Sequence, residues 1–205
     1  MASIVDFIIT FAFAFGLNLI PFAGPSNLLI ASSAAIGMTN PDIGTLVVIG
    51  VLIALAAALA KGIHYMVTFF VSGHLSEKRR QRLDADAAKV KRWAFPLLFL
   101  AAATPIPDEP IVIPLGLMKY SPPKFFLAYF LGKITITIAG AFLGNIAGDF
   151  LSNWFSPQAS FIISIVVSII LTVVITIIIL KVDFGKLSQK YLKRKAVELN
   201  QEKTN

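Results

Sequence analysis

The apolar residues of this chain come in blocks, without the alternation of a half-buried strand or the three-to-four spacing of a surface helix. The blocks cover 4–20, 28–36, 43–72, 93–103, 111–118, 125–148 and 161–180. Phe161 to Leu180 is twenty residues long and carries no charge, which is the length that crosses a hydrocarbon core of about 30 Å. Ile43 to Ser72 is longer still, with Lys61 and His64 as its only basic side chains. These two blocks and 125–148 predict three long transmembrane helices. The blocks 28–36 and 111–118 each reach only about half a bilayer. Both follow prolines: Pro21 and Pro25 before the first, Pro105, Pro107 and Pro110 before the second. Proline lacks the N–H that a helix needs and clashes with the preceding turn. An apolar arm, a proline break and a short apolar arm predict a re-entrant hairpin. Such broken backbone is tolerated at membrane depth only where protein buries it or it lines a wet cavity.

The two hairpins repeat. A shift of 82 residues lays Pro25 on Pro107, Asn27 on Glu109, Pro41 on Pro123, Gly50 on Gly132 and Gly62 on Gly144. The expected fold is therefore an all-α membrane protein with an internal repeat, the first copy at about 4–72 and the second at about 93–150. A final span at 159–180 completes one transmembrane domain, 1–180, and 181–205 form a basic tail.

Composition agrees with this reading. Of 205 residues, 57% are hydrophobic and 14% are charged, against roughly 25% charged in soluble domains. Ile4–Ile20 has no basic flank and carries Asp6, unlike a secretory signal, and is read as part of the membrane domain. The chain has no cysteine and two histidines, so neither a disulfide framework nor a usual metal site is expected.

The net charge of +7 is unevenly placed. Residues 1–60 contain no lysine or arginine, 74–92 contain seven, and the stretch after Leu180 contains seven more. Positive loops stay in the cytoplasm. The charge therefore implies a plasma-membrane protein with loop 74–92 and the tail inside, not a nucleic-acid binder. Counting crossings from that loop puts the two repeats in opposite orientations, so the two hairpins are opposed. Inverted repeats with broken helices are a transporter architecture.

Ionisable groups inside a membrane are costly and mark function by default. Asp108 and Glu109 sit in the second break, where two neighbouring carboxylates favour uptake of a proton or sodium ion. Asp108 also suits the cap of the helix that follows. Ser26 and Asn27 form the matching neutral tip, as hydrogen-bonding substrate contacts or as caps. Lys133 lies in helical register with Gly140, Gly144 and Gly148, a close-packing pattern of membrane helices. It is thereby expected to point inward, to pair with Glu109 or to bind a phosphate. Lys61 and His64 are one turn apart, a substrate cation and a candidate proton relay. The glycine face also offers a surface for a homo-oligomer.

The order of these motifs resembles the DedA (VTT, SNARE-associated) membrane family. The stretch Pro21–Asn27 is similar to its first proline turn. Thr104–Glu109, followed by Gly116, Phe125, Phe126 and Gly132, is similar to its second break and the aromatic-to-glycine spacing that follows. The resemblance covers about residues 15–150. It implies facing re-entrant hairpins and the flipping or scrambling of polyprenyl-phosphate carriers or phospholipids, coupled to protons or sodium. Two departures stand out. Asn27 replaces the acid usual in the first turn of the bacterial members, and Thr104 and Pro110 stand where arginines are usual. Lys133 or Lys61 is expected to supply the missing cation.

The function expected is lipid translocation, with membrane lipids and a coupling ion as partners, no cofactor and no enzymatic reaction. The alternative is export of a small solute or ion through the same pocket. No nucleophile or metal constellation pointing to catalysis is present in the sequence.

Overall fold

The computed structural model describes residues 3–21, 24–38 and 40–156, then 159, 162–167, 169–170 and 173–174, with no side chains at 78–89 or 152. Met1–Ile170 form one compact unit and Leu171–Asn205 a second, of which only Val173 and Val174 are described, both helical. The basic tail therefore lies outside the described residues, as does much of the expected span 161–180.

Among the described residues of the first unit, six α-helices have defined ends, and residues 162–167 are helical as well. The six are α1 (Ile4–Asn18), α2 (Asn27–Ile36), α3 (Ile43–Val71), α4 (Glu77–Ala102), α5 (Glu109–Leu117) and α6 (Pro122–Ser152). No strand occurs among the described residues. Local chemistry sets most of the ends. A reciprocal capping box between Ser3 and Asp6 starts α1. The chain breaks before Pro21, and Ser26 caps α2 by accepting from the Leu29 amide at 3.5 Å. Asn40 adopts φ 48° before Pro41, a left-handed corner that asparagine tolerates. Asp42 then caps α3 through the Thr45 amide. The second half repeats the sequence of events: a break at 103–108, the short helix α5, a left-handed corner at Lys119 with φ 51°, and prolines at the first turn of α6. The basic stretch, expected as a loop or a surface helix, is helical from Glu77 and forms the first part of α4, continuous with the apolar arm through Pro96.

Among the described residues, two segments are long and apolar enough to cross a membrane, Ile43–His74 and Pro122–Leu151. At 1.5 Å per residue each extends for about 45 Å, well beyond the hydrocarbon core. Large apolar side chains stand exposed along α1, α3 and α6, including Ile4, Ile8, Phe70, Ile146 and Phe150. A surface of this kind belongs in lipid. The chain is a membrane protein.

The helices exchange partners between halves. The short helix α2 packs on α6, and α5 packs on α3, while α3 and α6 lie against each other. Small residues allow the close approach. A Cβ at Gly140 would stand 2.5 Å from the Leu28 carbonyl oxygen, and one at Gly144 would enter the Ser32 backbone. Gly148 faces Ile36. The predicted glycine face is thus covered by α2 of the same chain. On the other side, a Cβ at Gly116 would lie 2.8 Å from the Tyr65 carbonyl oxygen. The Ser32 hydroxyl donates to the Gly140 carbonyl and the Thr137 hydroxyl to that of Gly50, both at 2.8 Å. The alanines 54, 56, 57, 58 and 60 of α3 are wholly buried.

Candidate functional site

Four charged side chains from three elements meet inside this packing. Lys61 comes from α3, Lys133 from α6, and Asp108 and Glu109 from the start of α5. The Lys61 ammonium bonds the Glu109 carboxylate and lies 3.6 Å from Oδ1 of Asp108. The Lys133 ammonium is 2.9 Å from Oδ2 of Asp108. The Tyr129 hydroxyl donates to that same oxygen, and the Lys133 ammonium stands 5.1 Å from the Tyr129 ring centroid. The four charged side chains are only 4–6% exposed, and Tyr129 is fully buried.

The cluster balances two cations against two anions. Isolated charges this deep would be prohibitive; paired and hydrogen-bonded they persist, though such a set adds little net stability. Asp108 occupies the cap position of α5 but makes no capping bond with its side chain. Lys133 and Tyr129 draw the carboxylate away from the helix amides. The carboxylates also sit at a helix start, where the aligned peptide dipoles favour negative charge. Sequence reasoning offered Lys133 either Glu109 or a phosphate as its partner; in the structure Lys133 bonds Asp108, and Lys61 reaches Glu109.

An aromatic stack supports one side of the cluster. Tyr65 stacks on Phe125 at 4.2 Å between centroids, and Phe125 on Tyr129 at 5.9 Å. The Tyr65 hydroxyl donates to the Tyr120 carbonyl, which ties α3 to the corner between α5 and α6.

The first break is built differently. Asn27 and Asn18 exchange two amide hydrogen bonds of 2.9 Å each, and Asn18 also donates to the Ala14 carbonyl at 2.8 Å. Both are buried. Ser26 serves as the cap of α2. Nε2 of His64 lies 3.1 Å from the Leu19 carbonyl oxygen, at the C-terminal end of α1. His64, Ser26 and Asn27 are thus engaged around the first break, while Lys61, Lys133, Asp108 and Glu109 gather at the second. Among the described residues, no group of three or more metal-ligating side chains comes together.

Two participants escaped the sequence reading. Tyr129 lies one helical turn before Lys133, a spacing that puts both on one face, and that signal was available. Asn18 is a lone amide in an apolar stretch, which in a membrane segment implies a buried partner.

A family model, the VTT domain, matches residues 20–146. This range contains both breaks and every residue of the charge cluster. No curated protein and no solved structure gives a significant match.

Proposed function

The chain belongs to the VTT domain family, whose members are membrane-associated and linked to transport, and from that premise we propose that it is a lipid translocase for a phosphate-bearing lipid, a polyprenyl-phosphate carrier or a phospholipid. The observation that carries this reading is the buried, charge-balanced cluster at a helix break. A phosphate entering hydrocarbon needs cations to offset its lost hydration, and Lys61 and Lys133 are two ammoniums held in one place. They are already neutralised by Asp108 and Glu109. Admitting an anion to a balanced site leaves an excess negative charge, so a proton or sodium ion taken up by the carboxylates restores the balance. The cluster thereby links lipid passage to a coupling ion, and no bond of the lipid is broken.

The proposed topology follows from the same elements. The two breaks are the tips of re-entrant hairpins in an inverted repeat, approached from opposite faces. The arginine- and lysine-rich start of α4 and the tail lie in the cytoplasm of a plasma-membrane protein. The packing of each short helix on the other half's long helix supports this.

The test is lipid transfer between leaflets of liposomes holding the purified full chain. Wild-type protein is expected to accelerate transfer of a fluorescent phospholipid or polyprenyl phosphate. Glu109→Gln and Lys133→Ala are each expected to slow it at least tenfold at equal reconstitution. If both variants transfer lipid at the wild-type rate, the mechanism fails. Solute flux without lipid transfer replaces the reading with solute export, and phosphate release from the lipid replaces it with catalysis.

A further inference from the structure

A second feature lies away from the charge cluster. One face of α1 and one face of α2 line a cavity of about 1220 Å³, larger than the roughly 300–1,000 Å³ of common small-molecule sites. On α1 the lining is Asp6, Thr10, Phe13 and Leu17, a single helical stripe. On α2 it is Leu29, Ser33 and Gly37, and Ile165 and Ile169 add a further wall. The two helices touch in few places. The Asn18–Asn27 pair fastens them at the break, and the groove opens between them.

The groove is graded in polarity. The end near the break is apolar, with Leu17, Ile20, Pro25 and Leu29. The opposite end carries Asp6, Asn40, Asp42 and Thr45. From Asp6 to Asn18 the helix rises about 18 Å, more than half of a hydrocarbon core of about 30 Å, and so long enough for the chain of one leaflet's lipid.

The sign of the polar end selects the headgroup. Residues 1–60 contain no lysine or arginine, so α1, α2 and the corner before α3 offer an anionic phosphate no basic side chain. They offer an ammonium two carboxylates. The Thr45 hydroxyl and amide hold the Asp42 carboxyl below the usual carboxylate range, so it is ionised at neutral pH. The capping bond of Asp6 uses Oδ2, which leaves its other oxygen outside the cap, while the Asp42 carboxylate accepts from Thr45 at Oδ1 and from the Gly44 amide.

We propose that this groove binds a membrane lipid with a primary-ammonium headgroup, its chain lying along α1 and α2 and its amine at the Asp6–Asp42 end. The site selects the charge opposite to the one Lys61 and Lys133 accept, and it stands whether or not the cluster transports. The occupants that compete with this reading are an anionic lipid, another segment of this chain and a second copy of it.

The experiment is lipid retention. The full chain is reconstituted in equal parts phosphatidylethanolamine, phosphatidylcholine and phosphatidylglycerol, extracted in mild detergent, washed, and its bound lipid weighed by native mass spectrometry. Phosphatidylethanolamine is expected to be enriched roughly tenfold over phosphatidylglycerol, the effect of one charge-assisted hydrogen bond, and to exceed phosphatidylcholine, whose head has no N–H to donate. The double variant Asp6→Asn, Asp42→Asn keeps a capping oxygen at both positions and is expected to lose the preference without losing helicity. Ala34→Trp, which fills the groove, is expected to lower retention of all three lipids. Equal or greater retention of phosphatidylglycerol overturns the proposal. So does a preference that survives the double variant, retention unchanged by Ala34→Trp, or no lipid above the detergent background.

Discussion

The two helix breaks solve one problem with opposite chemistry. Each places polar groups deep in an apolar bundle and must satisfy them there. The first uses a neutral pair, Asn18 with Asn27, closed on itself by two hydrogen bonds. The second uses four charges and a tyrosine, drawn from α3, α5 and α6. Position by position the breaks correspond, Asn27 to Glu109 after the 82-residue shift, yet the surrounding helices do not. The position matching Lys61 in α6 is Leu143, which is exposed, and the one matching Lys133 in α3 is Val51. The positions equivalent to the two lysines thus carry no cation for an acid at the first break. The difference teaches that both halves follow a break with a short helix and then a long one, while the charged cluster sits at the second break. A self-satisfied amide pair holds two helices together. A balanced set of charges can exchange one partner for another.

The largest expected effect comes from unbalancing the second break. Lys133→Ala leaves Asp108 without its nearest cation and is expected to destabilise the solubilised protein by roughly 3–5 kcal/mol, the cost of stranding one member of a buried pair. The double variant Lys133→Met, Asp108→Leu removes both charges and is expected to recover most of that loss. Lys61 and Glu109 then remain as a balanced pair. Thermal unfolding in detergent reads both. A double variant as unstable as the single one shows that the pair is not what stabilises the fold there.

The sequence made the second break far more legible than the first. Charges in apolar blocks are rare enough to announce themselves, so Lys61, Asp108, Glu109 and Lys133 stood out before any geometry. Their pairing did not. Which acid meets which lysine depends on the packing of α5 against α3 and on the rotation of α6, and neither can be read from spacing. The proline breaks and the two short helices were equally plain, because proline acts through its own backbone. The exchange of short helices between halves was hidden: nothing local tells α2 that its partner is α6, about 110 residues on. The glycine face of α6 did show that some helix would approach closely, but not that the helix was α2 of the same chain. The continuity of α4 through Pro96 was missed because composition changes sharply at Trp93, whereas helical hydrogen bonding does not follow composition.

A smaller effect is expected at the first break. Asn27→Leu leaves the Asn18 amide short of a partner in a buried site, at a cost of about 1–3 kcal/mol. Replacing both residues by leucine, which has nearly the same shape, removes the donors and acceptors together and is expected to restore much of the stability. The coupling in this double-mutant cycle measures the pair directly. Lipid transfer is expected to change little in the double variant, in contrast to every variant of the second break. Loss of transfer at unchanged stability makes the amide pair part of the pathway and removes the functional half of the comparison.

The smallest expected effect separates the corners that follow the two short helices. Both corners turn through a left-handed residue, Asn40 or Lys119, and both lead into a long helix. In the first, the Asp42 side chain caps α3 through Thr45. In the second, Ser121 makes no capping bond with its side chain, and prolines at the first turn of α6 reduce the number of amides to satisfy. Ser121→Ala is therefore expected to leave stability unchanged, and Asp42→Ala to lower it. The Asp42 contribution also depends on pH with a fixed sign. Its bonds to Thr45 depress its folded pKa below the ordinary value of 3.8, so the contribution is complete above that value and fades as pH falls toward the folded one. Asp42→Ser keeps the cap without a charge and is expected to flatten the pH dependence that belongs to this corner. Unfolding midpoints compared between pH 6 and the lowest pH at which the solubilised protein stays folded decide it: an equal slope in wild type and Asp42→Ser means that the two corners differ in geometry alone.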